Sequence, residues 1–271
     1  MAFLWEIKGI ILFNESIYDL KQAYTFCDKI ILGSFRKEPN FKGILIENKK
    51  GDIMGEREIK YFAVGKPKKM TYGNGKEMNT GIKKEEVEVA FLARDGFFGD
   101  GVADLKNHGG LDRAVCIYPY EHYSMWENEF NTSLDCAAFG ENLTVTNMLE
   151  HDIHIGDTFQ LGNAVIQVTQ GRIPCSTINK RTNIPTLLKR LVETGYTGYL
   201  CRVLEEGKVR KNSKLELLTS PKKKICVHDA TMTLLHRHDD LDAMNRLLKV
   251  PELADEWQKK LRKRIEKTST C

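Results

Sequence analysis

The chain has 271 residues, 41% hydrophobic and 29% charged, enough to bury a sizeable core without staples. A net charge of +4 is too mild for a nucleic-acid coat, though it leaves room for a local basic pocket. Seven cysteines at irregular spacing, with no C-x-x-C pair, argue against a disulfide framework and a structural zinc site, and for a reducing compartment.

In chain order, MAFLWEIKGIILF carries Glu6 and Lys8 inside its apolar run and has no small-residue cleavage site, so it does not read as a signal peptide. No stretch reaches the roughly 20 apolar residues that span a bilayer, and the expectation is a cytoplasmic protein. Residues 1–57 show no clear link to the rest of the chain. They contain Lys49-Lys50-Gly51-Asp52, whose codons form a purine-rich run just before Met54. Read as nucleotides, that run resembles a ribosome-binding site with Met54 as a start. The alternative is a real extension with two short strands and a helix.

Residues 58–220 read as strand-rich. EIKYFAVG alternates Ile59, Tyr61 and Ala63 with polar neighbours, and EVEVAFLA repeats the pattern before Gly96, Gly99 and Gly101 break it. HDIHIGDTFQLGNAVIQVTQ predicts three strands with turns at Gly156-Asp157 and Gly162-Asn163. Short strands with glycine turns suggest a barrel. Two helices interrupt it, PYEHYSMWENEF and NIPTLLKRLVETG, the second with Pro185 in its first turn and Gly195 at its end. Residues 221–271 change character: after a basic stretch from Pro221 to Lys224, three helices are predicted. Asp229 and Asp240 suit N-caps, Pro251 suits a helix start, and Leu253, Trp257, Leu261 and Ile265 form one apolar stripe.

Four stretches could carry chemistry. Residues 95–113 place four acids, five glycines, Lys106, His108 and Arg113 together, which is either a long solvated loop or an anion-binding concavity. In AAFGENLTV, Glu141 and Asn142 could contact a polar ligand, although spacing alone favours a capped turn. The aromatic cluster around His122 reads as core. In GRIPCSTI, Arg172 would favour the thiolate of Cys175 and Pro174 would fix its presentation. The thiol alone would still read as a packed core residue, as Cys116 and Cys201 do.

HGGLDRAVCIYPYEHYSMW, AAFGENLTV and IGDTFQLGNAVIQVTQGRIPC, in this order, resemble the MOSC domain, and specifically its YiiM branch. The likeness runs from about Ile59 to Leu218, and the helices after Pro221 resemble the helical C-terminal domain of that branch. The fold so implied is β-rich α/β: a MOSC-type β-barrel with peripheral helices, followed by a small all-α three-helix domain. The resemblance further implies a molybdenum cofactor, a pterin dithiolene with a phosphate tail, with Cys175 at the metal. It implies reduction of N-hydroxylated compounds such as 6-hydroxylaminopurine, with electrons from an external flavoprotein. The superfamily is also associated with pyridoxal phosphate. On this reading Lys106, Arg113 and Arg172, with the N–H groups of Gly109 and Gly110, and Asn142, serve cofactor binding, while Glu141 or His108 relays protons. Two departures stand out. QGR replaces the QPR of some relatives, and Ile117 stands where some carry a histidine. Other branches are linked to sulfur transfer, so a non-catalytic cofactor or persulfide carrier is the alternative. The three-helix segment could pack on its own barrel or on a second subunit.

Overall fold

A computed structural model describes residues 55–269, together with the backbone of three short strands, β1 (Glu6–Ile7), β2 (Ile10–Phe13) and β3 (Ser16–Tyr18). The chain divides into two compact units, Met1–Ile53 and Met54–Cys271. In the first, β1 to β3 pair antiparallel, Glu6 opposite Ile11 and Ile11 opposite Tyr18. Of the extension read as two short strands and a helix, these three strands are what is described; the proposed start at Met54 lies outside the described residues.

The second unit is built on an eight-stranded sheet that curls into a half-barrel. Its strands are β4 (Ile59–Val64), β7 (Glu85–Glu86), β10 (Val115–Pro119), β11 (Leu143–Val145), β12 (Thr158–Leu161), β13 (Ala164–Gly171), β14 (Tyr199–Glu205) and β16 (Leu215–Thr219). Their spatial order is β16-β12-β13-β14-β10-β11-β4-β7. All neighbours are antiparallel except β10 and β11, whose crossover holds helix α2 (Glu121–Phe130), as a parallel connection requires. A hairpin of β5 (Lys68–Tyr72) and β6 (Lys76–Thr80), and a small sheet of β8 (Val89–Ala93), β9 (Gly96–Phe97) and β15 (Gly207–Arg210), complete the strands.

Sequence patterning explains most of this and fails locally for identifiable reasons. Gly162 and Asn163 make the expected two-residue turn between the paired Leu161 and Ala164, with Gly162 at φ 57. In β4, Ile59, Phe62 and Ala63 are buried and Tyr61 is not, so the expected alternation breaks. The pairing register with β11 shifts between Thr144 and Val145, and the extra residue in β4 turns the chain's phase over. The first strand expected in HDIHIGDTF is instead a turn. The His154 N–H donates to Asp157 Oδ2 at 2.8 Å, and only an isolated bridge to Cys226 remains.

Helices α3 (Thr177–Thr182) and α4 (Leu187–Thr194) lie beside the sheet, and Gly195, at φ 71, ends α4 by donating its N–H to Leu191 O. Then come α5 (Val227–Leu235), α6 (Leu241–Leu248) and α7 (Asp255–Ser269). Asp240 caps α6 as expected, accepting from Ala243 N at 2.8 Å. Asp229 does not cap α5; Cys226 does, its sulfur accepting from Asp229 N, which leaves Asp229 in the first turn. Nor does Pro251 start α7. The helix begins four residues later because Ala254 N donates to Thr169 O on β13, which holds the preceding segment against the sheet. Leu253, Trp257 and Leu261 are fully buried in the same core as Phe159 and Ile166. Among the described residues, no helix is long and apolar enough to cross a membrane.

Candidate active site

Strand β13 is buried at seven of its eight positions, because one face lies on the barrel core and α5 packs on the other. It therefore carries its C-terminal residues to a fixed place. There Gln170, Arg172, Pro174 and Cys175 line a cavity of about 870 Å³. The glycine-rich stretch lines it as well, through Asp95 to Phe97, Asp100 to Leu105, and His108 to Gly110, with α1 (Leu105–His108) a single helical turn. Gly140 and Asn142 also line it. Gly140 sits at φ 80, and a Cβ there would lie 2.6 Å from Ile82 Cγ1, so this approach requires glycine.

Cys175 is half-buried, and the desolvation that should raise its thiol is outweighed. A side-chain hydrogen bond from His108, side-chain and backbone hydrogen bonds from Thr177, and the charge of Arg172 together lower it from 9.0 to about 6. Elsewhere burial prevails: it raises Cys136 to about 11, and it raises Cys201 and Cys116 as well. Cys116 nevertheless lines the cavity, partly buried, rather than sitting wholly in the core as its apolar neighbours suggested.

Arg172 is also charged against burial. Desolvation opposes the guanidinium charge, but Cys116, Cys175 and Glu141 more than compensate, and its pKa rises. Its Nη1 is buried with no hydrogen-bond partner, and so are Gln170 Oε1 and Trp257 Nε1. All three residues line the cavity. Unpartnered buried polar atoms are costly, so their gathering on a cavity wall points to a ligand that satisfies them.

The expected residues divide. His108, Gly109, Gly110, Arg113, Asn142, Arg172 and Cys175 meet at the cavity. Lys106 is exposed and outside the lining. Glu141 is fully buried outside the lining, accepting from the Tyr123 hydroxyl (2.5 Å), Thr144 Oγ1 (2.8 Å) and Phe139 N (3.1 Å). Asn142 is a brace as well as a wall. It accepts from Cys116 N at 3.0 Å and donates to Asp100 Oδ2 at 2.8 Å. His122 is structural, held 2.7 Å from Glu150 and stacked on Tyr196. Sequence reasoning missed Lys84, buried and ion-paired with Asp100 at the wall, and Thr177, whose only signal was a hydroxyl two residues past the cysteine. It also missed Glu256, Trp257 and Lys260 of α7, because Trp257 read as a member of an apolar stripe.

The MOSC domain family matches residues 104–216, and the YiiM-like 3-alpha helix domain matches residues 225–268. The chain is 43% identical over 205 residues to the uncharacterized protein YflK of Bacillus subtilis, covering 75% of this chain and 92% of that protein. It is 36% identical over 197 residues to the protein YiiM of Escherichia coli, covering 71% of this chain and 87% of that one. A protein of Gibberella moniliformis named "Reductase" is 35% identical over 182 residues, which span 65% of this chain and 32% of that protein. The crystal structure of YiiM from Geobacillus stearothermophilus superposes with a TM-score of 0.66 at 30% identity, covering 77% of this chain and 99% of that chain.

Proposed function

We propose that this chain, which belongs to the YiiM family of MOSC-domain proteins, is a reductase of N-hydroxylated compounds that works through a molybdenum cofactor. The observation that carries the reading is Cys175: a thiol lowered to about 6 at a cavity whose buried polar atoms lack partners. A relative named as a reductase supports the reaction class.

The residues present fit such a cofactor. Among the described residues, no cluster of three or more His, Cys, Asp or Glu side chains could hold a metal ion. A metal at Cys175 must therefore bring most of its own ligands, as a dithiolene-bound molybdenum does, and thiolate is a soft ligand suited to it. Arg172 Nη1, Gln170 Oε1 and Trp257 Nε1 offer two donors and one acceptor to a polar ring system or its anionic tail. When bound, the cofactor supplies the electron pair for N–O cleavage, R–NHOH + 2e⁻ + 2H⁺ → R–NH₂ + H₂O.

The protein's own share is positioning and protons. Thr177 and His108 hold the sulfur as thiolate, and Arg172 stabilises its charge. His108, exposed at the cavity and bonded to Cys175, is the proton carrier in this reading; Glu141 is sealed away from the cavity by its three donors. Electrons come from a separate flavoprotein, and base analogues such as 6-hydroxylaminopurine are the substrates to test first.

The test is cofactor content. Protein purified anaerobically from a host that makes the cofactor should carry molybdenum and pterin near one per chain, and Cys175→Ala should lose the metal and all turnover while keeping its fold. Full turnover in Cys175→Ala would remove the thiol from the mechanism. Absence of cofactor from both proteins, with cyanolysable sulfur on Cys175, would make the chain a persulfide carrier instead.

A further inference from the structure

Helix α7 belongs to the three-helix segment, yet it brings Glu256, Trp257 and Lys260 to the cavity. Lys260 is four residues on from Glu256 and three from Trp257, so it neighbours both on the helix surface and joins them into a strip along the cavity. The strip is fixed in place. Asp255 N donates to Asp112 Oδ2 at 2.9 Å, Arg202 pairs with Asp112 at 2.7 Å, and Arg202 also donates to Glu252 O at 3.1 Å. On the strip, Glu256 is ion-paired on both sides, with Arg113 Nη1 at 2.7 Å from the barrel and Lys260 Nζ at 2.5 Å from its own helix. Arg113 is 14% exposed, so one of the two cations is largely withdrawn from water. Beside them the fully buried Trp257 holds an indole N–H with no acceptor.

We propose that Arg113, Lys260 and Trp257 Nε1 form a phosphomonoester subsite of the cavity, and that Glu256 is the internal carboxylate the phosphate displaces. A phosphomonoester carries about −1.5 to −2 charges at neutral pH and three accepting oxygens, against the single charge of a carboxylate. It matches two cations and an unpartnered N–H better than the carboxylate of Glu256 does. Glu256 meanwhile keeps the cations in place and compensated before the ligand arrives. The phosphate could belong to the cofactor's tail or to the nucleotide form of a substrate. The subsite rests on the cavity being a ligand site, as proposed above, and not on the redox chemistry.

The test uses full-length protein from a host lacking pterin synthesis, titrated calorimetrically with inorganic phosphate, adenosine 5′-monophosphate and adenosine. Lys260→Met should weaken both phosphate-bearing probes by about tenfold, and Glu256→Gln should tighten them by about tenfold, while adenosine is unaffected. Trp257→Phe, which keeps the core filled, should weaken the same two probes. Phosphate affinities unchanged in all three variants, with thermal stability lowered in Glu256→Gln, would make the ion pairs purely structural and overturn the proposal. In a pterin-proficient host, lower pterin content of Lys260→Met identifies the cofactor's phosphate. Unchanged pterin content with weakened nucleotide binding identifies the substrate's. Intact phosphate selectivity in a protein that reduces nothing would leave the subsite standing and sink only the redox reading.

Discussion

At the scale of single residues the site turns on one thiol whose surroundings reverse the usual effect of burial. The folded Cys175 thiol lies at about 6 and its ordinary value is 9.0. The thiolate's contribution to stability is therefore fully present above about pH 9 and lost as pH falls through 6. In the cofactor-free protein, stability should rise with pH across that window, and Cys175→Ser should flatten the rise. Alkylation by iodoacetamide, followed peptide by peptide, should show a midpoint near pH 6 for Cys175, with Cys136 and Cys201 unreactive at neutral pH. His108→Ala and Thr177→Val should each move that midpoint upward; a midpoint that stays put would mean these hydrogen bonds do not hold the sulfur. The sequence carried half of this arrangement. Arg172 and Pro174 lie beside the thiol in the chain and could be read there. Thr177 is two residues past the thiol but gave only a hydroxyl as its signal, and His108 acts through the fold, 67 positions away, where no local pattern announces the pairing.

At the scale of elements, the meeting of β13 and α5 sets where the site can be. Gly171, the residue that differs from the proline of some relatives, is not in a loop. It is the buried last residue of β13, and a Cβ there would lie 1.8 Å from Thr231 Oγ1 on α5. Thr231 Oγ1 is itself buried without a partner. Gly171→Ala should destabilise the protein by about 1–3 kcal/mol through overpacking. Thr231→Ala should be close to neutral, since it removes an unsatisfied hydroxyl. Together the two should cost less than their sum, measured as shifts of the denaturant midpoint; strict additivity would mean the two residues do not touch. Strand, turn and helix identities were legible because each rests on a local period or a punctuating glycine, as at Gly162 and Gly195. The bulge in β4 and the delayed start of α7 were not legible, since each is set by a partner distant in sequence, whereas the turn at His154 is held by Asp157 three residues on, a local signal the alternating pattern masked.

At the scale of the whole second unit, the helices after Pro221 and the curled sheet share one interior. Val227, Leu234, Leu247, Leu253, Trp257 and Leu261 belong to the same core cluster as Phe159, Ile166 and Val203. Polar ties reinforce that core at the cavity: Ala254 N to Thr169 O at 3.1 Å, Asp255 N to Asp112 Oδ2 at 2.9 Å, and Arg113 to Glu256 at 2.7 Å. A helical segment that closes a cavity wall in this way should not open separately from the sheet. Amide hydrogen exchange should therefore give α7 residues 257–264 and β13 residues 165–170 opening free energies within about 1 kcal/mol of each other, and denaturant should lower both together. If α7 exchanged far faster while β13 stayed protected, the three helices would be an independently opening lid. Glu256, Trp257 and Lys260 would then be mobile wall residues instead of a fixed strip, and the phosphate subsite would require closure before it could bind.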